Sequence, residues 1–378
     1  MTMPGNRTIH LGMIGTGLAA RKLHWPALSK MLDRFEVVAL CNRTRETAEE
    51  FAAFAGLSMD GYAADYHDLL RRDDVDAVLV GVPIPQLFPV ARDALQAGKH
   101  VICEKPPGGD LFEGWEFVTE VRRHPDQVFV MAENIFYNDI FRLARLLVDE
   151  GKIGEPRLLL ERWVSQLVPT PGQFSITPWR FEPQYRGGPM LDGGVHSVAR
   201  VRLVGGDPTR IYMRTEWANK TMNAPSAFVA TLDFASGAVG NGIWGFLGNP
   251  VLDEVNDFRL YGSEGTLVVG RGGVRLVSPS GAVDRWTFEN LDGGFYNELL
   301  NFYEAIVHGA EVVGTIEQSY ANMMVVLRAL DSSEQNCSIE LDTLPGGPKA
   351  KAIPLWRPYG AEGLYDGLPV KVKKVESE

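Results

Sequence analysis

Short apolar runs alternate with amphipathic stretches over the first third of the chain. The apolar runs are rich in Val, Ile and Leu, and apolar residues in the stretches between them recur with a helical period. Strands that alternate with helices in this way indicate parallel βαβ units and a doubly wound sheet. The predicted strands span residues 9–14, 36–41, 76–82, 100–104 and 128–133, and the predicted helices span 19–32, 45–55, 88–98 and 110–124.

The pattern changes after residue 134. One amphipathic helix, 139–151, precedes a region in which polar and apolar residues alternate and Gly and Ser turns separate the segments. Period-two alternation is typical of antiparallel strands with one exposed face. Two more helical patterns, 294–308 and 317–331, end the compact part. The chain is therefore predicted to contain an α/β domain at 1–134, an α+β domain at 135–345 and an extended tail at 346–378.

The composition and charge of the chain limit the kinds of molecule that it is expected to bind. The 378 residues are 45% hydrophobic and 22% charged, as in a soluble globular protein, and the formal net charge of −11 disfavours nucleic acid and anionic membranes. Cys41, Cys103 and Cys337 are far apart and form neither a disulfide framework nor a CxxC metal site. We therefore expect no metal site. No stretch has the pattern of a signal peptide or a membrane span, so we expect a cytoplasmic protein.

A glycine motif follows the first predicted strand. Residues 15–20 read GTGLAA, which places Gly15, Gly17 and Ala20 in the order G-x-G-x-x-A between a strand and a helix. In a dinucleotide-binding turn the first glycine allows the tight turn, the second lets a pyrophosphate approach the backbone, and the small third residue packs helix on strand. The helix N-terminus adds free N–H groups. A plain strand-to-helix turn is the alternative, but the flanking elements favour a cofactor site formed by Gly15, Thr16, Gly17, Leu18 and Ala20.

The end of the second predicted strand bears on which dinucleotide binds. A carboxylate about 20 residues past the glycines would bind the ribose hydroxyls of NAD. This chain has Asn42 there, followed by Arg43 and Arg45. An uncharged side chain removes repulsion toward a 2′-phosphate and a guanidinium can bind that phosphate, so the sequence favours NADP over NAD. In the alternative, the arginines are solvated and Asn42 binds the ribose of NAD.

The stretch AGKHVICEKPPGG ends another predicted strand. It places Glu104 and Lys105 at the edge of the sheet where α/β folds bind ligands, and Pro106 could follow as a cis peptide. A lysine at this edge can position a hydroxyl and tune proton transfer. Considered alone, a solvated loop lysine is the simpler interpretation.

Asp192 and His196 are spaced i, i+4 in the stretch WRFEPQYRGGPMLDGGVH. A helix would place this carboxylate and imidazole on one face, where they can act as an acid and a base. The alternative is a buried, hydrogen-bonded structural histidine. The two glycines between them are poor helix formers, so something other than propensity retains them, such as close approach of the backbone to a cofactor or substrate.

These motifs carry a family resemblance. The segments GTGLAA, AGKHVICEKP, EGKIGEPR, WRFEPQYRGGPMLDGGVH and YGSEGTL resemble, in this order, the glucose-fructose oxidoreductase/inositol dehydrogenase/rhizopine catabolism (Gfo/Idh/MocA) family over residues 9–333. The resemblance implies an N-terminal Rossmann doubly wound parallel sheet that binds NAD(P), followed by a substrate-binding α+β domain with a large, mostly antiparallel, open-faced sheet. It also implies hydride transfer between the nicotinamide and a hydroxyl or ketone carbon of a sugar, cyclitol or related polyol. The open sheet face implies a homodimer or homotetramer.

The resemblance also assigns roles to residues. His196 is implied to be the acid or base for the substrate hydroxyl, while Asp192 and Lys105 orient it and bind the reacting oxygen. Trp179 and Arg180 match a pair near the nicotinamide or substrate. Outside the glycine motif, the implied cofactor contacts are Asn42, Arg43, Pro83, Glu104, Lys105, Asn134, Trp179 and Arg180, and the implied substrate contacts are Lys105, Tyr137, Arg180, Asp192 and His196.

The chain departs from the family pattern at two loops. After the third long strand Pro83 remains, but Ile84 and Leu87 replace a polar Asn and His, which puts contacts from that loop in doubt. In AENIFYNDIF, the residues Glu133, Asn134 and Tyr137 could line the pocket, or they could have structural roles. Three other functions stay open: an NAD-dependent glycosidase of the same family, a dihydrodiol-type dehydrogenase, and a non-catalytic regulator that senses the dinucleotide.

Overall fold

The computed structural model describes residues 7–251, 256–270, 272–341 and 352–375, which form two compact units. One unit contains the residues up to Asn134 together with Phe295–Glu317, and the other contains Ile135–Gly294 and the residues from Gln318 onward. The change of pattern after residue 134 coincides with a boundary between the units. Residues 295–317 lie within the predicted second domain, but in the structure they pack in the first unit.

Aromatic contacts attach the later segment to the first unit. Phe302 stacks on Phe35 with ring centroids 6.4 Å apart, and Tyr303 meets the same ring edge-on at 5.7 Å. The amide of Met131 also donates to the carbonyl of Gly314 at 2.7 Å. A local helical pattern does not show which core a helix joins, so the sequence carried no signal for this assignment.

Six parallel strands in the described residues form the sheet of the first unit. The order β3-β2-β1-β4-β5-β6 changes direction between β1 and β4, which is where doubly wound sheets bind ligands. The complete burial of β4 and β6 is typical of strands covered on both faces. The predicted doubly wound parallel sheet is therefore confirmed. The strands are β1 (Ile9–Ile14), β2 (Phe35–Cys41), β3 (Tyr62–Ala63), β4 (Ala77–Val80), β5 (His100–Glu104) and β6 (Phe129–Ala132).

The helices of the first unit begin with a π-helical turn, Ala20–His24, that continues into the α-helix Trp25–Leu28. The sequence predicted one regular helix over 19–32. The helix ends earlier because the amides of Lys30 and Met31 bond three residues back, which closes a tight turn. The other helices of this unit are Arg45–Ala55, Tyr66–Leu70, Ile84–Gln96, Leu111–Arg122 and Phe295–His308.

Ten strands in the described residues form the sheet of the second unit. Their order is β15-β8-β9-β10-β7-β11-β12-β13-β14-β16, and neighbours are antiparallel except for β7 and β10. The predicted large, mostly antiparallel sheet is confirmed. The strands are β7 (Pro156–Gln166), β8 (Pro208–Glu216), β9 (Ala227–Phe234), β10 (Val239–Leu247), β11 (Asp257–Gly262), β12 (Thr266–Gly270), β13 (Gly273–Val277), β14 (Val283–Glu289), β15 (Ile339–Glu340) and β16 (Lys371–Val375).

Helices cover one face of this second sheet. In β9, Phe228 is fully buried while its neighbour Val229 is 49% exposed, so the strand has a covered face and an open face. On the covered face Arg200 donates to the buried carboxylate of Glu161 at 2.7 Å. The helical segments around this sheet are Asn134–Tyr137, Asp139–Asp149, Phe174–Ile176, Pro178–Arg180, Pro189–Asp192, Gly194–Gly205 and Ile316–Gln335. In the part of the chain that the structure describes, no helix is long and apolar enough to cross a membrane.

The C-terminal segment 352–375 packs on the second unit. The guanidinium of Arg142 is fully buried, pairs with Asp139 at 2.9 Å and donates to the carbonyls of Trp356 and Leu364. At its end, β16 pairs antiparallel with β14. Residues 352–375 of the predicted extended tail are therefore an integral part of the second unit, while 346–351 and 376–378 lie outside the described residues.

Candidate active site

The loop after β1 must turn tightly against the loop after β4. Gly15 has a φ of +97°, and a Cβ atom on it would lie 2.3 Å from the carbonyl oxygen of Gly81. Its amide donates to the carbonyl of Cys41 at 2.8 Å, and the amide of Gly81 donates to that of Ile14 at the same distance. Only glycine can occupy such a position. The predicted role of Gly15 in the turn fits this geometry.

The next positions of the glycine motif leave room for a ligand. No atom lies within 4 Å of the place that a Cβ on Gly17 would take. Ala20 is 1% exposed, as a residue that packs helix on strand should be, and Leu18 lies between the two at the start of the helix. Free N–H groups at this helix start would face a phosphate. The residues present therefore fit a dinucleotide pyrophosphate.

Asn42 connects the loops after β1 and β2. Its side-chain oxygen accepts from the Thr16 amide at 3.4 Å, and its side-chain nitrogen donates to the Thr44 carbonyl at 2.9 Å. Burial, together with nearby carboxylates, raises the pKa of the adjacent Cys41 thiol to about 11, so this thiol is uncharged at neutral pH. Cys41, which ends β2, and the following Asn42 are thus both uncharged.

The two arginines that follow differ in their contacts. Arg45 bonds to Glu49 at 2.8 Å and lies over the ring of Tyr62 at 5.0 Å. Arg43 is exposed and has no hydrogen bond, ion pair or ring contact within the residues that the structure describes. Arg43 is therefore the guanidinium that a ligand phosphate could engage.

The ends of β4, β5 and β6 hold the remaining predicted residues of this edge. Pro83 begins the helix Ile84–Gln96, in which Ile84 and Leu87 are buried, so these two replacements face the core. Glu104 ends β5, and the peptide bond between Lys105 and Pro106 is cis, as the sequence suggested.

Asn134 and Tyr137 share a short 3-10 helix after β6. Tyr137 is fully buried, and its ring meets Trp356 edge-on with centroids 5.8 Å apart. This contact places the C-terminal segment behind the tyrosine. The structure thus gives Tyr137 a packing role, and its contact with substrate stays a prediction.

Arg180 is the centre of the predicted site in the second unit. Its guanidinium lies 4.0 Å from the ring centroid of Trp179 and bonds through Nε to Asp192 Oδ2 at 2.9 Å. It also donates to the Thr177 hydroxyl at 2.6 Å and to the Phe174 carbonyl at 2.9 Å. The side chains of Arg180 and Asp192 are each 15% exposed. A pair that is partly desolvated and held from several sides is well ordered for recognition of a polar ligand.

Asp192 and His196 lie on consecutive helical segments. Asp192 ends the helix Pro189–Asp192 and His196 lies in the first turn of Gly194–Gly205, with Gly193 between them. Something other than helix propensity does retain the glycines here, and in the structure it is the close approach of side chains of the protein itself. A Cβ on Gly194 would lie 2.3 Å from the sulfur of Met190, and one on Gly193 would lie 3.2 Å from the ring of Phe246.

Two consecutive segments of the chain match family models. Residues 9–132 match the model described as an oxidoreductase family with an NAD-binding Rossmann fold, and residues 141–268 match that of the GFO/IDH/MocA C-terminal domain. The chain belongs to the Gfo/Idh/MocA oxidoreductase family. The predicted family, fold class and enzyme class are thereby confirmed.

Three relatives illustrate the range of this Gfo/Idh/MocA similarity. An uncharacterized protein of Saccharomyces cerevisiae is 27% identical over 87% of this chain and 97% of its own length. A D-xylose 1-dehydrogenase (NADP+) of Haloarcula marismortui is 28% identical over 54% of this chain and 57% of its own length. The crystal structure of an oxidoreductase from Thermotoga maritima is 27% identical, with a TM-score of 0.79 over 89% of this chain and 99% of that one.

Sequence reasoning missed several residues of this Gfo/Idh/MocA site. Phe174 and Thr177 hold Arg180, and the ring of Tyr185 lies 6.3 Å from that of Trp179. Burial and the charge of Asp192 raise the pKa of the Tyr185 phenol above its ordinary value, so the phenol stays neutral. Tyr185 lies inside the motif that carried the resemblance, which was the available signal. A backbone carbonyl such as that of Phe174 leaves no trace in a sequence.

Proposed function

We propose that the protein is an NAD(P)-dependent dehydrogenase or reductase that transfers a hydride between the nicotinamide and a hydroxyl or ketone carbon of a sugar, cyclitol or related polyol. The observation that carries the proposal is the glycine loop at the β1/β4 switch point, where the position of Gly17 opens into unfilled space. The xylose dehydrogenase relative supports the substrate class.

The main predicted residues have the following roles in this proposal. The loop Gly15–Ala20 and the helix behind it bind the pyrophosphate, and the bound nicotinamide supplies the hydride acceptor or donor. His196 exchanges a proton with the substrate hydroxyl, while Lys105 and Asp192 orient that oxygen. Arg180 holds the Asp192 carboxylate in place through a hydrogen bond of 2.9 Å.

Replacing His196 or Lys105 by alanine tests these roles. Each variant should fold as the wild type does, bind the cofactor within about threefold, and lose at least about a hundredfold in turnover, the scale of a lost acid or base. Turnover with NADP and NAD is measured on D-xylose, D-glucose and myo-inositol. Lys30→Ala, which removes an exposed lysine of the first unit, is the control. Full activity in both site variants contradicts the assignment.

We further propose that NADP is preferred over NAD. The uncharged Asn42 does not repel a 2′-phosphate, and the exposed Arg43 can bind it. Calorimetry should show at least about tenfold tighter binding of NADP, and Arg43→Ala should remove about that factor for NADP alone. Arg45→Ala is the matched control, since Glu49 and Tyr62 already engage Arg45. Equal affinity of the wild type for both cofactors contradicts the preference.

The open face of the second sheet supports the proposal of a homodimer or homotetramer. Leu158 is 37% exposed and pairs in register with Val239, which is 51% exposed, while Val229 is 49% exposed on a nearby strand. Apolar groups of this kind on one face favour association. Light scattering of the wild type and of Val229→Asp tests it, and a monomeric wild type rejects it. The three free cysteines fit the proposed cytoplasmic location, which fluorescence of a tagged chain in cells would check.

A further inference from the structure

A buried histidine ends the π-helical turn that follows the glycine loop. In this turn the Trp25 amide donates to the Ala20 carbonyl five residues back, so the turn holds about one residue more than an α-helical turn. One extra residue rotates the following side chains by roughly 100° about the helix axis. Arg21 and Lys22 are exposed, whereas His24 is 1% exposed. The imidazole therefore lies inside the first unit.

The imidazole of His24 bonds to the carboxylate of Glu104. His24 Nε2 lies 2.8 Å from Glu104 Oε1, and the Glu104 side chain is 14% exposed. Because an ionised carboxylate can only accept, Nε2 carries a proton. Nδ1 has no hydrogen-bond partner among the described residues, and the ring meets Phe295 edge-on with centroids 5.8 Å apart. The bond to Glu104 and the contact with Phe295 thus orient the ring.

This bond joins two segments that are 80 residues apart in sequence. His24 lies in the first turns of the helix that begins at the glycine loop, and Glu104 directly precedes Lys105 at the end of β5. The link is a bond between two side chains, so it does not belong to the backbone of the loop after β1 or of the loop after β5. A misplacement of about 1 Å in a positioned group can lower turnover by about a hundredfold, so a link of this kind bears directly on function.

We propose that His24 is a positioning residue of the dinucleotide site, which holds Lys105 in place through Glu104. The inference rests on the proposed function, because it concerns the site assigned to NADP or NAD. His24 acts through the carboxylate of Glu104. The bond aligns the end of β5 with the helix that binds the pyrophosphate, so both loops keep one arrangement before the cofactor arrives.

Variants at His24 separate the hydrogen bond from the packing. His24→Leu fills the space without a donor, whereas His24→Gln keeps an amide N–H near the position of Nε2. His24→Asn carries a shorter amide that falls short of Glu104, and it serves if the leucine variant does not fold. The matched control is His100→Gln, at the opposite end of β5, where the imidazole accepts from the Val128 amide at 2.9 Å.

NADP affinity by calorimetry is the main measurement, and thermal unfolding and turnover of D-xylose accompany it. We expect His24→Leu and His24→Asn to raise the Kd for NADP about tenfold and to lower kcat at least about tenfold, with KM for the sugar within about threefold. His24→Gln and His100→Gln should stay within about threefold of the wild type in each quantity.

Two results overturn this inference without affecting the proposed function. The first is a wild-type Kd for NADP in His24→Leu, whatever the melting temperature of that variant. The second is a defect in His24→Gln as large as that in His24→Leu, because the ring and not the hydrogen bond would then be responsible. A wild-type protein that binds neither NADP nor NAD overturns the proposed function first, and the inference with it. Since the calorimetric result needs no sugar, failure to turn over D-xylose does not affect the test of His24.

Discussion

The glycine loop after β1 and the segment from Trp179 to His196 both contain paired glycines, and the two regions use them differently. In the loop, Gly15 lies against the backbone of Gly81, and Gly17 opens into unfilled space. In the later segment, the side chains of Met190 and Phe246 fill the space beside Gly194 and Gly193. A glycine motif thus indicates close approach, but only the surroundings tell whether a ligand or the protein itself approaches.

The largest expected effect is that of Gly15→Ala. The new Cβ would meet the Gly81 carbonyl at 2.3 Å, and the residue would keep a positive φ, so we expect a loss of about 3 kcal/mol or more in the free energy of unfolding. Denaturant unfolding measures it. Gly98→Ala is the control, since Gly98 also has a positive φ of +76° but no atom within 4 Å of its Cβ position. Equal losses in the two variants would show that backbone contact at Gly15 does not matter.

The second-largest effect is that of Gly17→Ala, which should weaken the binding of NADP without lowering the stability of the fold. Nothing lies near the new Cβ in the protein, so the melting temperature should stay the same or rise slightly. The methyl group would stand where the pyrophosphate approaches the backbone, and the Kd for NADP should rise at least about tenfold. Calorimetry and thermal unfolding check both parts. An unchanged Kd for NADP would contradict the proposed difference between the glycine loop and the segment from Trp179 to His196.

The smallest effect is expected at Gly194→Ala. Its Cβ would meet the flexible end of Met190, which can move, so the cost should be about 1 kcal/mol with NADP affinity unchanged. Adding Met190→Ala should relieve the clash, and the double variant should be more stable than the sum of the single effects by about 1 kcal/mol. Additive losses, or weaker NADP binding in Gly194→Ala, would mean that this glycine serves something other than packing.

Much of the fold could be predicted because periodicity reports burial directly. The buried strands β1, β2, β4, β5 and β6 read as apolar runs, and the alternation in β9 and β10 marks a sheet with one covered face. The π-helical turn could not be predicted, because its residues fit a regular helix and the bond of His24 to a carboxylate 80 positions away is a tertiary contact. The same limit hid the placement of 295–317.

For the candidate site, the sequence predicted the types of residue better than it predicted the contacts that these residues make. The sequence named Arg43 and Arg45 together, but Glu49 and Tyr62 engage only the second. It named Arg180 and Asp192 separately, and the structure joins them at 2.9 Å. Spacing along one helix predicts neighbours, whereas contacts made across a fold depend on packing that single-sequence patterns do not encode.

The last strand, β16, affects whether the sheet can pair with strands of other chains. β16 reads KVKKV and lies at the end of the ten-stranded order, with Lys374 paired to Asp284 at 3.0 Å. An edge strand with lysines resists the addition of further strands, because a second backbone would have to approach a row of charges. Residues predicted to form an extended tail therefore protect the edge of the sheet, and a chain shortened before Lys371 would make β14 the edge strand without these lysines.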